Sequence, residues 1–257
     1  MNIFNQFVRS IYSPKTIASF RNQGIGKTIL YVFLLSLVAV IPSILYFSNA
    51  FSDGISTAKS TIEDEIPSFT IKDGELKADQ KDPIFIDRDN FTIVLDDTGS
   101  IDKSTLKTRD NAIGLLKNEI VLVAGGQVES YSYSLMTDLN ISKDDFVSFL
   151  EVVESSLVII IPIVFIVTFI FGSAMQFIEI TILALFGLLL KNTLRKDIQY
   201  RHLWRMGAYS VTLPTVFFFI MDLLKTNVPS GFLIDFFVSL IILLLAIKEI
   251  PSSTESE

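Results

Sequence analysis

Four stretches of the chain are almost free of charge, and the polar residues collect between them. Residues 28–47 are twenty positions without a charged side chain. At ~1.5 Å per residue, a helix of that length covers the roughly 30 Å hydrocarbon core of a bilayer. Residues 157–190 are thirty-four positions interrupted only by Gln176 and Glu179. As one helix they would be about 51 Å long, more than a simple crossing needs. Residues 206–224 are apolar apart from Asp222, and residues 232–247 apart from Asp235. The pattern predicts an α-helical polytopic membrane protein with four or five transmembrane helices, over 28–47, 155–190, 206–225 and 231–248. The second segment reads either as one long, tilted or broken helix or as a hairpin turning at Gly172-Ser173. The first is not a cleavable signal peptide, because its apolar core exceeds the roughly 7–15 residues of such a segment and no Ala-x-Ala-like site follows.

Between the first two runs, residues 48–154 change to strand-like patterning. Residues 68–72 and 75–77 flank Asp73-Gly74, the dipeptide suited to a type I′ hairpin turn. Residues 83–87 and 91–95 read as two more strands joined by a polar turn at Arg88-Asp89-Asn90. Residues 119–124 are rich in β-branched side chains, Gly125-Gly126 makes a turn, and residues 128–133 alternate as a further strand. Ser142-Lys143-Asp144-Asp145 opens a helix by capping-box logic, with Asp where Glu is commoner. Phe146, Phe149, Leu150 and Val153 form its apolar face, and it runs on into the second span. The expectation is a small β-rich α+β domain inserted between spans 1 and 2.

Charge is segregated in the same way. Residues 1–27 carry Arg9, Lys15, Arg21 and Lys27 and no acid, whereas residues 48–154 carry ten Lys and Arg against twenty-one Asp and Glu. Residues 191–205 carry Lys191, Arg195, Lys196, Arg201 and Arg205 against Asp197. The net charge of -7 is therefore an average over an acidic block and two basic segments. The positive-inside rule makes 1–27 a cytoplasmic N-terminus and 191–205 a cytoplasmic loop, and leaves 48–154 outside the cell. An odd number of crossings within 155–190 satisfies that rule, which favours four spans over five. Residues 249–257 form an acidic, frayed tail. A hydrophobic content of 50% and a mean hydropathy of +0.51 argue against a soluble chain. With no Cys and one His, disulfides, thiolate metal sites and most imidazole sites are excluded, and no metal or other cofactor is implied.

Several short motifs have plain structural explanations. Asp97-Thr98-Gly99 matches the signature of aspartic proteases, whose chemistry needs two such carboxylates sharing a proton. With one copy, the chain would have to act as a homodimer, and Asp96-Asp97-Thr98-Gly99-Ser100 is equally good turn chemistry after a strand. Ser56-Thr57-Ala58-Lys59 lacks the companion motifs of penicillin-binding enzymes. Gly24-Ile25-Gly26-Lys27-Thr28 resembles the end of a phosphate loop, but Arg21 stands where its first glycine belongs and no strand precedes it. A flexible basic linker is the better account.

The intramembrane acids are stronger pointers, since an ionised carboxylate in hydrocarbon costs at least about 2.5–3.5 kcal/mol. Glu179 sits deep in the second run with Gln176 three residues before it, as a buried structural hydrogen-bonding group or as a transport, proton or partner-contact residue. Asp222 has Lys225 three residues on, and Asp235 near the start of the fourth span closes the same cluster. Snorkelling to the interface is the alternative for these two. In the basic segment, Arg195, Lys196, Arg201, Trp204 and Arg205 suit an anchor for anionic lipid headgroups. His202 at that edge is incidental rather than a pH sensor. No nucleic-acid fold is suggested.

Three passages carry a resemblance. Residues 66–76 read Ile-Pro-x-Phe-x-Ile-x-x-Gly-x-Leu, residues 7–15 read Phe-x-x-Ser-x-Tyr-Ser-Pro-Lys, and residues 200–214 lead from the basic loop into a span. Together they resemble the Gram-positive membrane family called domain of unknown function 1189, over nearly the whole chain. Residues 209–214 are also similar to the Yip1 superfamily, whose corresponding basic loop is cytoplasmic, and that comparison favours dividing 157–190 in two. The resemblance implies a multi-pass protein of the bacterial cytoplasmic membrane and supplies no catalytic residues. Some relatives carry a maltodextrin-utilisation label, which implies a sugar transporter among the candidate partners. The expected role is a non-enzymatic accessory or scaffold protein whose external domain contacts an envelope or transporter partner. The alternatives are a small transport or channel-like component using Glu179, Asp222 and Asp235, and, more remotely, a dimeric protease. Oligomeric state is not legible.

Overall fold

The computed structural model describes residues 1–88, 91–136 and 140–251, and the chain divides into two compact units, Met1–Tyr46 with Ile161–Glu257, and Phe47–Ile160. Among the described residues four helices are long and apolar enough to cross a membrane: Ile25–Glu65, Lys143–Thr193, Tyr200–Leu223 and Gly231–Lys248. The strands fall in the chain between the first and the second.

The first unit opens with α1 (Ile3–Tyr12) and α2 (Pro14–Ser19), followed by a tight 3-10 turn at Phe20–Asn22. Ser13 caps α2 by accepting the Thr16 N–H at 3.2 Å, and Pro14 takes the first helical position, where its missing N–H leaves no bond unmade. Ile17, Ala18 and Phe20 are buried in the helical core. The flexible basic linker expected over residues 24–28 is instead helical from Ile25 onward. Gly24 stands immediately before α3 (Ile25–Glu65), whose second residue is Gly26.

After the strands, α5 (Lys143–Thr193) runs unbroken for 51 residues through Pro162 and through Gly172-Ser173. No hairpin turn forms there. Gly172 instead lies against Val40 of α3, where an added Cβ would stand 3.4 Å from Cγ2, and Ser173 is buried. The small pair marks a helix contact, not a bend. The expected loop at 191–205 is shorter than its charges suggest, because α6 (Tyr200–Ser210) begins inside it. Only Val211 separates α6 from α7 (Thr212–Leu223). Pro214 falls in the first turn of α7, where its ring is tolerated. The fourth apolar run is α8 (Gly231–Lys248), as expected.

Tyr31, Leu35, Ile180, Leu183, Leu203, Met206, Tyr209 and Leu243 are fully enclosed in the core of this unit. The outward face of α5 is just as apolar, with Ile159, Ile163, Ile166, Ile170 and Phe171 all more than half exposed. A helix apolar on both faces needs apolar surroundings on both.

The second unit holds two sheets. β1 (Phe69–Lys72) and β2 (Glu75–Ala78) form the expected hairpin, with Asp73 and Gly74 both at positive φ, and β8 (Ile141–Ser142) adds to the other side of β1. The five-stranded sheet runs β3 (Ile84–Asp87), β4 (Thr92–Asp96), β5 (Asn111–Leu116), β6 (Glu119–Ala124), β7 (Gln127–Ser132). Its pairings are antiparallel except β4 with β5, which are parallel and joined by a crossover carrying α4 (Lys103–Leu106). Strand β5 was not expected. Its Asn-Ala-Ile-Gly-Leu-Leu lacks alternation because both faces are covered, and Leu106 of α4 packs over Gly114, leaving no room for a Cβ.

Two cores sandwich this sheet. On one side Ile93, Leu95 and Leu115 meet Ala58, Ile62 and Ile66 from the end of α3 and Phe146 and Leu150 from the start of α5. On the other side Val94, Ala112, Val121 and Val123 pack with Leu106. The α5 cap forms as expected, with Asp145 accepting from the Ser142 N–H at 2.9 Å and hydroxyl at 2.6 Å. Of the expected turn at 88–90, Asp89 and Asn90 lie outside the described residues, and the flanking Arg88 N–H donates to the Phe91 carbonyl at 2.8 Å. Residues 252–257 of the expected tail also lie outside them.

Candidate functional site

The turn between α7 and α8 gathers the acidic residues. α7 ends in a Schellman arrangement: Lys225 is left-handed, the Lys225 N–H donates to the Asp222 carbonyl at 2.9 Å, and the Thr226 N–H donates to the Met221 carbonyl at 2.9 Å. Ser230, also left-handed, precedes α8. The chain thereby folds back and brings Asp222 and Asp235 to one open groove of about 370 Å³, with Phe218, Thr226, Asn227 and Phe232. A neighbouring groove of about 340 Å³ shares Asp222, Thr226 and Asn227 and adds Ser43, Tyr46 and Lys225. The Lys225 ammonium stands 4.9 Å from the centre of the Tyr46 ring. Among the described residues no ion pair joins Lys225 to Asp222; the cation rests on the aromatic face instead.

Deeper along α8, Asp235 accepts from the Ser239 hydroxyl at 3.5 Å, and Asp235 is near enough to act electrostatically on Glu179 of α5. The Glu179 Oε1 is buried without a hydrogen-bond partner among the described residues. Gln176, one turn away, is committed elsewhere. Its Oε1 accepts from Ser36 of α3 at 2.6 Å, and its Nε2 lies 3.5 Å from the Thr215 hydroxyl of α7. The three acids thus divide: Asp222 and Asp235 share a groove, while Glu179 faces Asp235 from inside the bundle.

The basic segment divides as well. Arg195, left-handed just past α5, and Arg201 are exposed. Lys196 donates to the Ile250 carbonyl, and Arg205 donates to the Arg21 carbonyl at 3.0 Å. Trp204 stacks on Phe177 with centroids 6.2 Å apart and donates to the Thr181 hydroxyl at 3.3 Å. These last three tie the segment to the bundle rather than reaching outward.

In the second unit, the Asp-Thr-Gly turn is occupied by its own backbone. Asp96, fully buried, accepts from the Thr98 N–H at 3.0 Å, the Thr98 hydroxyl at 2.7 Å and the Ile101 N–H at 2.6 Å. Burial opposes its ionisation, but those bonds together with one from Ser100 outweigh it and hold the carboxyl below the usual aspartate range. Asp97 accepts the Ala78 N–H at 3.0 Å and so fastens β2. Lys59 turns to Glu151 at 2.8 Å, and that hydrogen bond raises its pKa. Burial pushes the Tyr133 phenol up as well.

One polar cluster escaped the sequence reading. Tyr209 donates to Gln6 Oε1 at 3.1 Å, Gln6 donates to Gln23 Oε1 at 2.6 Å, and Gln23 in turn bonds the Tyr209 oxygen. Tyr31 shares a 2.6 Å bond with Thr212, and its ring lies 4.2 Å from that of Tyr209. None of these side chains is charged, so charge patterning passes over them. The only signal was the presence of Tyr209 and Thr212 in one of the passages that carry the family resemblance.

Fold and site define a helical protein with four helices fit to cross a membrane, a two-sheet unit between the first two, and an acid-lined groove where the last two meet. The chain belongs to the family described as protein of unknown function DUF1189, whose model matches residues 4–247. No curated protein and no solved structure matches it.

Proposed function

We propose that the chain is a multi-pass protein of the bacterial cytoplasmic membrane, without enzymatic activity, whose residues 48–154 stand outside the cell and hold an envelope or transporter partner. The observation that carries this reading is the unfinished face of the five-stranded sheet. On the side where Ile93, Leu95 and Leu115 are enclosed, the sheet continues through Ile120 and Leu122 of β6 to Tyr131 of β7. There the cover ends, leaving Leu122 39% and Tyr131 50% exposed. β7 is moreover an edge strand, with one row of backbone groups open to a further chain. An apolar pair on an open sheet edge is a contact surface in search of a partner strand. A Leu122→Asp, Tyr131→Ser double variant is expected to lose partner crosslinks in intact membranes while its thermal unfolding stays within a few degrees of wild type. Unchanged crosslinks would remove this face from the reading.

A second reading, a small transport component, is favoured by the burial of Glu179 Oε1 without a partner beside Asp235. Here Glu179→Gln in proteoliposomes should abolish any solute-coupled proton flux that the wild type shows. Equal flux in both would retire the idea.

A further inference from the structure

Helix α1 is built in an unusual sense. Ile3 and Phe7 pack on the helical core, and the polar Gln6 and Ser10 are buried in the same direction. Its outward stripe is apolar: Phe4, Val8 and Tyr12, one turn apart, are 64%, 53% and 68% exposed. In water this arrangement is costly, and none of the described residues covers the stripe. At ten residues, about 15 Å, α1 is far too short to cross a bilayer.

Three hydrogen bonds fix where it lies. Lys27 donates to the Met1 carbonyl, and Gln6 is held by Gln23 and Tyr209. Lys27 is the last charge before the uncharged run of the first apolar helix, so α1 is pinned at the level where that run begins. The flank of α1 is basic and contains no opposing charge. Arg9 and Lys15 are exposed, and the first acid in the chain is Asp53. The exposed Arg201 and the partly buried Arg21 and Arg205 surround His202 on the same unit.

From this geometry we infer that α1 is an in-plane anchor, lying in the interface of the bilayer with Phe4, Val8 and Tyr12 sunk among the upper acyl chains and Arg9 and Lys15 on anionic lipid phosphates. A short amphipathic helix with an apolar face and basic edges is what such an interface selects. The inference rests on the membrane reading given above and adds a lipid contact outside the spanning helices.

The chain has no Cys, so single labels are clean. The full chain carrying Phe4→Cys, Val8→Cys, Arg9→Cys or Ile166→Cys is labelled with a fluorophore and reconstituted in vesicles containing brominated lipids, with and without phosphatidylglycerol. Labels at 4 and 8 should be quenched at least roughly twofold more than at 9. Bromines near the headgroup should quench them best, and phosphatidylglycerol should increase the effect. Ile166 should respond best to bromines deep in the chains. Quenching at 166 with none at 4 or 8 would overturn the anchor and leave the membrane reading standing. Loss of quenching at 166 as well would overturn both. A disulfide between Val8→Cys chains would assign the stripe to a second copy, and indifference to phosphatidylglycerol would remove the phosphate contacts; either result overturns the inference as stated.

Discussion

Asp96 shows how much a single buried carboxylate organises. It satisfies the amides of Thr98 and Ile101 and the hydroxyls of Thr98 and Ser100, closing the crossover between the parallel strands β4 and β5. Asp96→Ala removes a buried carboxylate that accepts from the amides of Thr98 and Ile101 and the hydroxyl of Thr98, and should destabilise the second unit by about 2 kcal/mol. The pH dependence has a definite sign. Because the folded carboxyl ionises below the unfolded value of about 3.9, its contribution is complete above that pH and is lost as pH falls through the folded value. Thermal unfolding of the full chain in detergent, followed from about pH 5 to about pH 3, should fall less steeply in Asp96→Asn than in wild type. The turn was legible as turn chemistry in the sequence. Which of the two adjacent aspartates was enclosed was not, since that depends on the strand's facing.

At the scale of elements, α5 carries the main consequence. An unbroken helix over Lys143–Thr193 leaves four candidate spans; the proposed topology then expects residue 100 outside the cell and residue 197 inside it. Full-length chains with single cysteines replacing Lys15, Ser100, Asp197, Asn227 and Glu249 should react with an impermeant maleimide in intact cells only at 100 and 227. Reaction at 249 but not at 227 would restore the hairpin and five spans. Residues 157–190 did not decide between these readings because length and apolarity are the same for one tilted helix and two short ones. The structure has one continuous helix there, with Gly172 against Val40 of a helix more than a hundred residues earlier. β5 was missed for a related reason: strand alternation disappears when both faces are buried.

For the whole molecule, Asp222 and Asp235, expected in one cluster, line one groove, and Glu179, read apart from them in the sequence, proves close enough to Asp235 for the two to interact electrostatically. Asp222 and Asp235 meet only because Lys225 and Ser230 adopt left-handed turns that reverse the chain. Likewise, five basic or aromatic residues expected to face lipid divide, with Lys196, Trp204 and Arg205 drawn inward to carbonyl and hydroxyl oxygens. Neither sorting is visible along the chain, because i, i+3 and i, i+4 spacing names a face but not what lies opposite it. Two of the expected tests act at this scale. Removing the carboxylate of Glu179 probes a group that helices α5 and α8 enclose together, and labels on α1 probe a face that the fold leaves open.

By itself the sequence determined the four apolar runs, the sheet-forming block between the first two, the Asp73-Gly74 hairpin and the α5 cap, all set by local hydrophobic period, turn chemistry and charge. Only the tertiary structure decided that α5 is continuous, that residues 3–22 are helical and docked, that Tyr209, Gln6 and Gln23 form a polar core, and that the outward stripe of α1 is apolar. The reason is common to all four: a side chain's environment is fixed by what packs against it from distant parts of the chain, and uncharged polar or small residues carry no local mark of that neighbour.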